Sequence, residues 1–369
     1  MWLAAKGQSD GLASTAANWS KGVPTEDQDI LVDGDWGTAD ITWDAGVNGL
    51  PAKVANWEQR ATYTGTVTFP TKFPSAPDAA FTAFTVTGNV QLDGGTWTCP
   101  VSFEEVDPTE QVTLEGLRAG RVYRLSVRAG AMTIGTGCAI NVTGKGHART
   151  LQDLKSLKST ISSHGGTSPD STLGAFGELV APDDIAPAAV FGGLYAAGGG
   201  AVRLEVGGAL VVNGAVRADG GASSASCSGG GGRVAIHLTR AGATMADASW
   251  TVTAYPGTVK SDAKLSFPGS VYVETAADDG KGVVSFAGRE GRGVKYVGFT
   301  SNTYRNYGSG LTADESFREI RLSGRTFVRI PSNVTVTVDE IYSQNDAGDG
   351  QFNFINANVW TNKVVLAGG

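Results

Sequence analysis

The residues best suited to chemistry in this chain are few and lie in short turns. Asp183 and Asp184 stand side by side in APDDIAP, His147 lies in GKGHA and His164 in ISSHGG. An inverting glycosidase needs a carboxylic acid and a carboxylate about 6.5–9.5 Å apart, so a pair of aspartates with a nearby histidine could serve one. His147 is the first partner to consider and His164 the second. The plainer reading is that Asp-Asp flanked by prolines forms an ordinary turn. The strings NDAGDG, with Asp346 and Asp349, and ADDGKG, with Asp278 and Asp279, place carboxylates where Ca2+ could be held. Both are too short to reach the ligand count of a calcium loop, so the expectation is no cofactor, with Ca2+ the one to consider. Trp36, Trp43 and Trp57 are the candidate ligand contacts, because flat aromatic faces in a row could stack on sugar rings.

Other motifs carry less. The glycine runs Gly198–Gly200 and Gly229–Gly232 lack the lysine and following helix of a phosphate loop. No Gly-x-Ser-x-Gly elbow occurs, and nothing pairs Cys227 with His237 as nucleophile and base. Cys99, Cys138 and Cys227 are an odd and sparse set, which argues against a disulfide framework and leaves room for one bridge at most.

What must position these residues is a β-rich scaffold. Of 369 residues, 52 are glycine, with none of collagen's three-residue period, and 41% are hydrophobic, too many for a disordered chain. Net charge is -7 with a pI near 5.1 and no concentrated basic face, which argues against nucleic acid as a partner. On a strand, Arg124 and Arg128 of GLRAGRVYRLSVRAG share one side, read here as a solvated face. No apolar run is long enough for a membrane span. The opening, MWLAAKGQSD, lacks the basic and apolar regions of a signal peptide, so an extracellular home requires one already removed. The last residues, VVLAGG, follow a strand-like run, and a longer natural chain is expected.

Alternating apolar and polar residues mark strands at Ile30–Val32, 61–69, 81–92, 97–103, 202–206, 209–212, 215–218, 234–238, 317–322, 326–330 and 334–338. Gly-Gly or Pro-Gly precedes several of them. The matching starts Val202, Val234 and Val271 are 32 and 37 residues apart. Gly130-Ala131 and Gly208-Ala209 each open the same β run, glycine, β run sequence, which reads as a long-period internal repeat. Strands this short and regularly spaced suit a chain that winds in stacked coils. The fold expected is all-β: a right-handed parallel β-helix forming one domain over residues 1–369. Six of the eight tryptophans fall in residues 1–100, read as atypical coils and an aromatic cap for the exposed first coil. Residues 145–200 break the pattern: Leu151, Leu154 and Leu157 suit a short helix, followed by a turn-rich stretch.

Several strings together, namely ISSHGG, AFGELVAP, GGGAVRLEVGGALVVNGAVRADGG, GGGGRVAIHL and PGSVYVE, resemble a group of glycine-rich, secreted bacterial parallel β-helix proteins. These have autotransporter-passenger-like or surface-anchored architecture and are mostly of unknown function. The likeness covers roughly residues 140–275 and, more loosely, the opening NWSKGVPTEDQDILVDG. It implies a β-helix at the cell surface or outside the cell and implies no catalytic residue. The expected function is a non-catalytic structural or adhesive module whose partners are an extracellular glycan or further copies of itself. The alternative is a polysaccharide-active β-helix enzyme, hydrolase or lyase, using Asp183, Asp184 and His147.

Overall fold

The computed structural model describes residues 1–7, 9–76, 79–101, 122–146, 189–191, 194–222, 228–247, 251–258, 268–288, 297–298, 315–323, 327–329, 335–345, 351–353 and 358–368. Among them the chain is almost entirely β. Among the described residues the only helical pieces are single 3-10 turns at Ala16–Asn18 and Val47–Gly49, and no helix there is long and apolar enough to cross a membrane.

Strands alternate between two parallel sheets. The chain begins β1 (Ile30–Val32), β2 (Ile41–Thr42), β3 (Lys53–Val54), β4 (Trp57–Gln59), β5 (Thr66–Thr68), β6 (Phe84–Leu92), β7 (Thr96–Thr98), β8 (Leu125–Ile134) and β9 (Ala139–Asn141). A small antiparallel pair, β10 (Ala189–Phe191) and β11 (Leu194–Ala196), precedes β12 (Ala201–Val206), β13 (Leu210–Val212), β14 (Ala215–Arg217), β15 (Arg233–Leu238), β16 (Met245–Asp247), β17 (Val252–Thr253) and β18 (Ser270–Thr275). The last strands are β19 (Val283–Ala287), β20 (Val297–Gly298), β21 (Glu315–Ser323), β22 (Phe327–Arg329), β23 (Thr335–Asn345), β24 (Gln351–Asn353) and β25 (Asn358–Gly368). The large sheet orders β1-β4-β6-β8-β12-β15-β18-β19-β21-β23-β25, and a second runs β2-β5-β7-β9-β14-β17.

Pairing in register stacks like upon like. In the second sheet Ile41, Val67, Trp97, Ile140, Val216 and Val252 form one column. In the first, Phe84, Val127, Leu204, Ile236 and Val273 form another. The interior strands of each sheet thereby find partners for their backbone groups in the rows on either side. Between the sheets lies one core, with members from Trp2 to Ala254 and with Val271 and Val273 packed against it. The N-terminal segment lies over its first row. The amide of Trp2 donates to Leu31 O, and that of Ala13 to Thr42 O, so the starting edges of both sheets are occupied.

The expected spacing is realised: Val202 pairs with Val234, and Val234 with Val271. The repeat at Gly130-Ala131 and Gly208-Ala209 is also one of adjacent rows, since Met132 pairs with Leu210 and Ile140 with Val216. Leu125 pairs directly with Val202, so the whole of 145–200 is an insertion within a single row. The short helix expected at 151–157 lies outside the described residues. The strand expected over 61–69 is shorter: the Tyr63 amide donates to Arg60 O in a turn, and β5 begins only at Thr66.

The parallel pairing of the large sheet is interrupted once. β18 and β19 are antiparallel, and β19, β21, β23 and β25 then run parallel to one another. The buried face changes at the same place. Val271 and Val273 point to the first core, whereas Tyr272 on the other side of β18 is fully enclosed and faces Val284. From there the column Val284, Ile320 and Ile341 is buried. β18 therefore has packed side chains on both sides. The finding for fold class is an all-β chain of mainly parallel strands.

Candidate functional site

The face of the large sheet turned away from the first core carries one row of polar residues that crosses five strands in register. Thr85 pairs with Arg128, Arg128 with Glu205, Glu205 with His237, and His237 with Glu274. Alternation places them there: each follows or precedes a buried or partly buried Val, Leu or Ile in its strand. Arg128 Nε donates to Glu205 Oε2 at 2.8 Å, and Arg203 lies 2.9 Å from Glu205 Oε1. His237 Nδ1 lies 3.2 Å from Glu274 Oε2. The same Glu274 oxygen accepts from Tyr272 at 3.1 Å, and its Oε1 accepts from the Gly280 amide at 2.9 Å.

Beside this row an open groove of about 230 Å³ runs over a place where the strands are irregular. The β6–β8 register shifts between Val86 and Asn89, so that Thr87 and Gly88 oppose Gly130. Such bulges bend a sheet and re-aim its side chains. Thr85, Thr87, Arg128, Glu205, Gly207 and Arg240 are among the lining residues. A side chain at Gly130 would collide with the Gly88 carbonyl at 2.6 Å, so that glycine is required by packing. At Gly207 a Cβ would meet the flexible Arg240 Nε at 3.2 Å and Gly130 O at 3.3 Å, a closeness that small movements relieve. The bare floor at Gly207 therefore keeps the groove open more than it serves the fold.

The local charge is positive in a chain of net charge -7. Arg128 and Arg203 pair with Glu205 here, and Arg240 lines the same groove. Burial pushes the Glu205 carboxyl up, but the hydrogen bond from Arg128 and the charges of Arg203, Arg128 and His237 outweigh it and hold the group below its ordinary range. Glu205 thus stays ionised, which suits an acceptor and not a proton donor.

The sites expected from sequence fall differently. His147, His164, Asp183, Asp184, Asp346, Asp349 and Cys227 lie outside the described residues. Trp43 and Trp57 are 0% and 1% exposed, which corrects the expectation of a stacking row: their faces are covered by Trp19, Phe69, Phe84 and Trp97. Trp36 alone of the three reaches solvent, at 62%. Asp278 is the acceptor of a tight turn, bonded by the Thr275 amide at 2.7 Å and hydroxyl at 2.9 Å and paired with Arg318 at 2.8 Å. Arg124 is buried instead of sharing a solvated face with Arg128, because β8 begins one residue later and the guanidinium sits 5.3 Å from the Phe73 ring centroid. Cys99 and Cys138 are buried free thiols; burial pushes Cys99 up to about 12.

The polar row itself was readable and missed. Arg128, Glu205, His237 and Glu274 each lie three residues after a matching strand position, Leu125, Val202, Val234 and Val271. Applying the spacing of the valines to their neighbours finds Glu205, His237 and Glu274; Arg128 lies beyond the 145–200 stretch, where the spacing is broken. No protein-family model, curated protein or solved structure matches this chain.

Proposed function

We propose that the chain is a non-catalytic structural and adhesive module: a right-handed parallel β-helix that works outside the cell as a stiff carrier of surface groups. The observation that carries this reading is the unbroken register, in which Ile41, Val67, Trp97, Ile140, Val216 and Val252 stack through six successive strands of one sheet. Strands that alternate between two parallel sheets and add row by row are the connectivity of a coil, and parallel crossovers are right-handed almost without exception. The reversal at β18 is compatible with one hand throughout. Strand direction and buried face invert together there, and two inversions leave the sense of winding unchanged. The resemblance to secreted β-helix proteins supports the extracellular setting.

A rod of this kind acts through geometry. Each row satisfies the backbone of the next, so the outer side chains can vary without cost to the core. The carboxylates of the outer row favour this role over catalysis, because Glu205 is held by two arginines and Glu274 by Tyr272, His237 and the Gly280 amide.

The test is to incubate the purified chain with a panel of neutral and acidic polysaccharides and to assay new reducing ends and unsaturated products. The reading expects no turnover. Turnover abolished by Glu205→Gln, Glu274→Gln or Asp184→Asn would make the chain an enzyme.

A further inference from the structure

We infer that the groove over Gly207 is a binding site for a carboxylated saccharide, one uronic-acid unit of a chain lying across β6, β8 and β12. The inference rests on the reading of the chain as a non-catalytic surface module and names what that surface holds. Two features call for an anion. Arg240 makes no ion pair among the described residues, and Arg128, which also lines the groove, has only its Nε engaged with Glu205. Arg128 is also 57% exposed at its side chain, so its fork is open to a ligand. A planar guanidinium matches a carboxylate with two parallel hydrogen bonds, which a point charge cannot do.

Two further features call for hydroxyl groups on the same ligand. Glu205 lines the groove as a carboxylate at neutral pH, an acceptor that repels a bare phosphate but takes hydrogen bonds from sugar hydroxyls. Thr85 and Thr87 also line the groove, and the Thr87 hydroxyl, which donates to Val54 O and Ala55 O at 3.4 Å, keeps its lone pairs as acceptors. A ligand carrying one negative charge and several hydroxyls satisfies both sets, and a uronate is such a ligand. The groove's volume of about 230 Å³ and its open form suit one ring of a chain that continues over the surface. Among the described lining residues Glu205 is held ionised and no histidine is present, which favours holding the ligand over cutting it.

The experiment is calorimetric titration of the intact chain with tetragalacturonate, with its methyl-esterified form and with inorganic phosphate as comparisons. Binding of the charged tetrasaccharide is expected, weakened at least tenfold by the methyl ester and by the R128Q/R240Q double substitution, and weakened by 0.5 M salt. The thermal midpoint of the double variant should stay within a few degrees of the parent. Gly207→Val, which fills the floor, should also lose binding and gives a second route should the arginine variant fold poorly. No binding to the parent chain overturns the proposal. So does equal binding of the methyl ester, displacement by equimolar phosphate, or indifference to both variants. Turnover is assayed separately, so loss of this site leaves the module reading standing, and the reverse.

Discussion

The first rows and the later rows share the same parallel pairing but fill their interiors by opposite means. Between Trp2 and Trp97 the core is a continuous stack of rings: Trp43 and Trp57 are 5.5 Å apart, Trp57 and Trp97 5.3 Å, and Phe69 and Phe84 4.6 Å. Mostly tilted and edge-to-face, these rings fill a wide interior with side-chain volume. Between 197 and 269 the corners are filled by backbone. A Cβ on Gly232 would stand 2.0 Å from Gly200 O, and one on Gly269 would stand 1.7 Å from Gly232 O. The amides of Arg233 and Ser270 donate to the carbonyls of those same two glycines, Gly200 and Gly232, so the column is hydrogen-bonded as well as close. One region is thus intolerant of lost volume and the other of added volume, within the same pattern of pairing.

That contrast is open to direct attack. Trp97→Ala removes a fully buried indole, and the resulting cavity should cost about 3–5 kcal/mol, read from chemical denaturation. Gly232→Ala, a single methyl group, should cost about 3 kcal/mol, because the obstacle is a carbonyl that cannot move without breaking its row. If alanine at 232 is neutral while Trp97→Ala is costly, the backbone-filled corner is wrong. Next in size is Gln59→Leu. Gln59 is fully buried, accepts from the indoles of Trp57 at 3.3 Å and Trp97 at 3.0 Å, and donates to Gly94 O at 2.5 Å. Leucine strands three groups, and a loss of about 2 kcal/mol is expected, accompanied by a change in tryptophan fluorescence.

Smaller effects come from titration. Hydrogen bonds from Thr62 and the Asp35 amide, with Arg60 adding to them, hold Asp33 below its ordinary range against the opposing effect of burial. Glu205 is lowered too. Because folding lowers both pKa values, the stability they lend is complete above the ordinary carboxylate range and is lost as pH falls through their folded values. Thermal midpoints should therefore decline on acidification below about pH 4, and Asp33→Asn should flatten part of that slope. The smallest expected signal is chemical. In a Cys227→Ser background, Cys99 and Cys138 should ignore a thiol reagent at pH 8 until the chain unfolds, since burial keeps both protonated and covered.

Much of the fold was legible because period-two alternation and glycine placement report local conformation directly. Ile30–Val32 was bounded to the residue, and Val202, Val234 and Val271 were found as equivalent positions. What alternation does not give is which face of a strand meets which core. Trp57 and Gln59 both point inward on the three-residue β4, and a short strand with a polar partner offers no pattern from which to know it. Arg124 was misplaced for a related reason: one residue before a strand start, alternation no longer applies. The β18 reversal was invisible because SVYVET alternates equally well whether one face or both are covered. The outer polar row is less legible, because period-two alternation marks the apolar, inward member of each strand and leaves the pairing of the outward members to the register.

The central claim is that consecutive rows stack in register even across the long 145–200 insertion. It is tested most directly by a disulfide between positions 128 and 205, which are 77 residues apart in sequence and paired across adjacent strands. Neighbouring parallel strands lie about 4.8 Å apart, within disulfide range, whereas a second-neighbour strand at twice that distance is not. In the Cys227→Ser background, the R128C/E205C pair should oxidise rapidly to an intramolecular bridge and the R128C/H237C pair should not. Bridging at 128–237 with none at 128–205 would contradict the stacking and with it the account of the chain as a continuous coil.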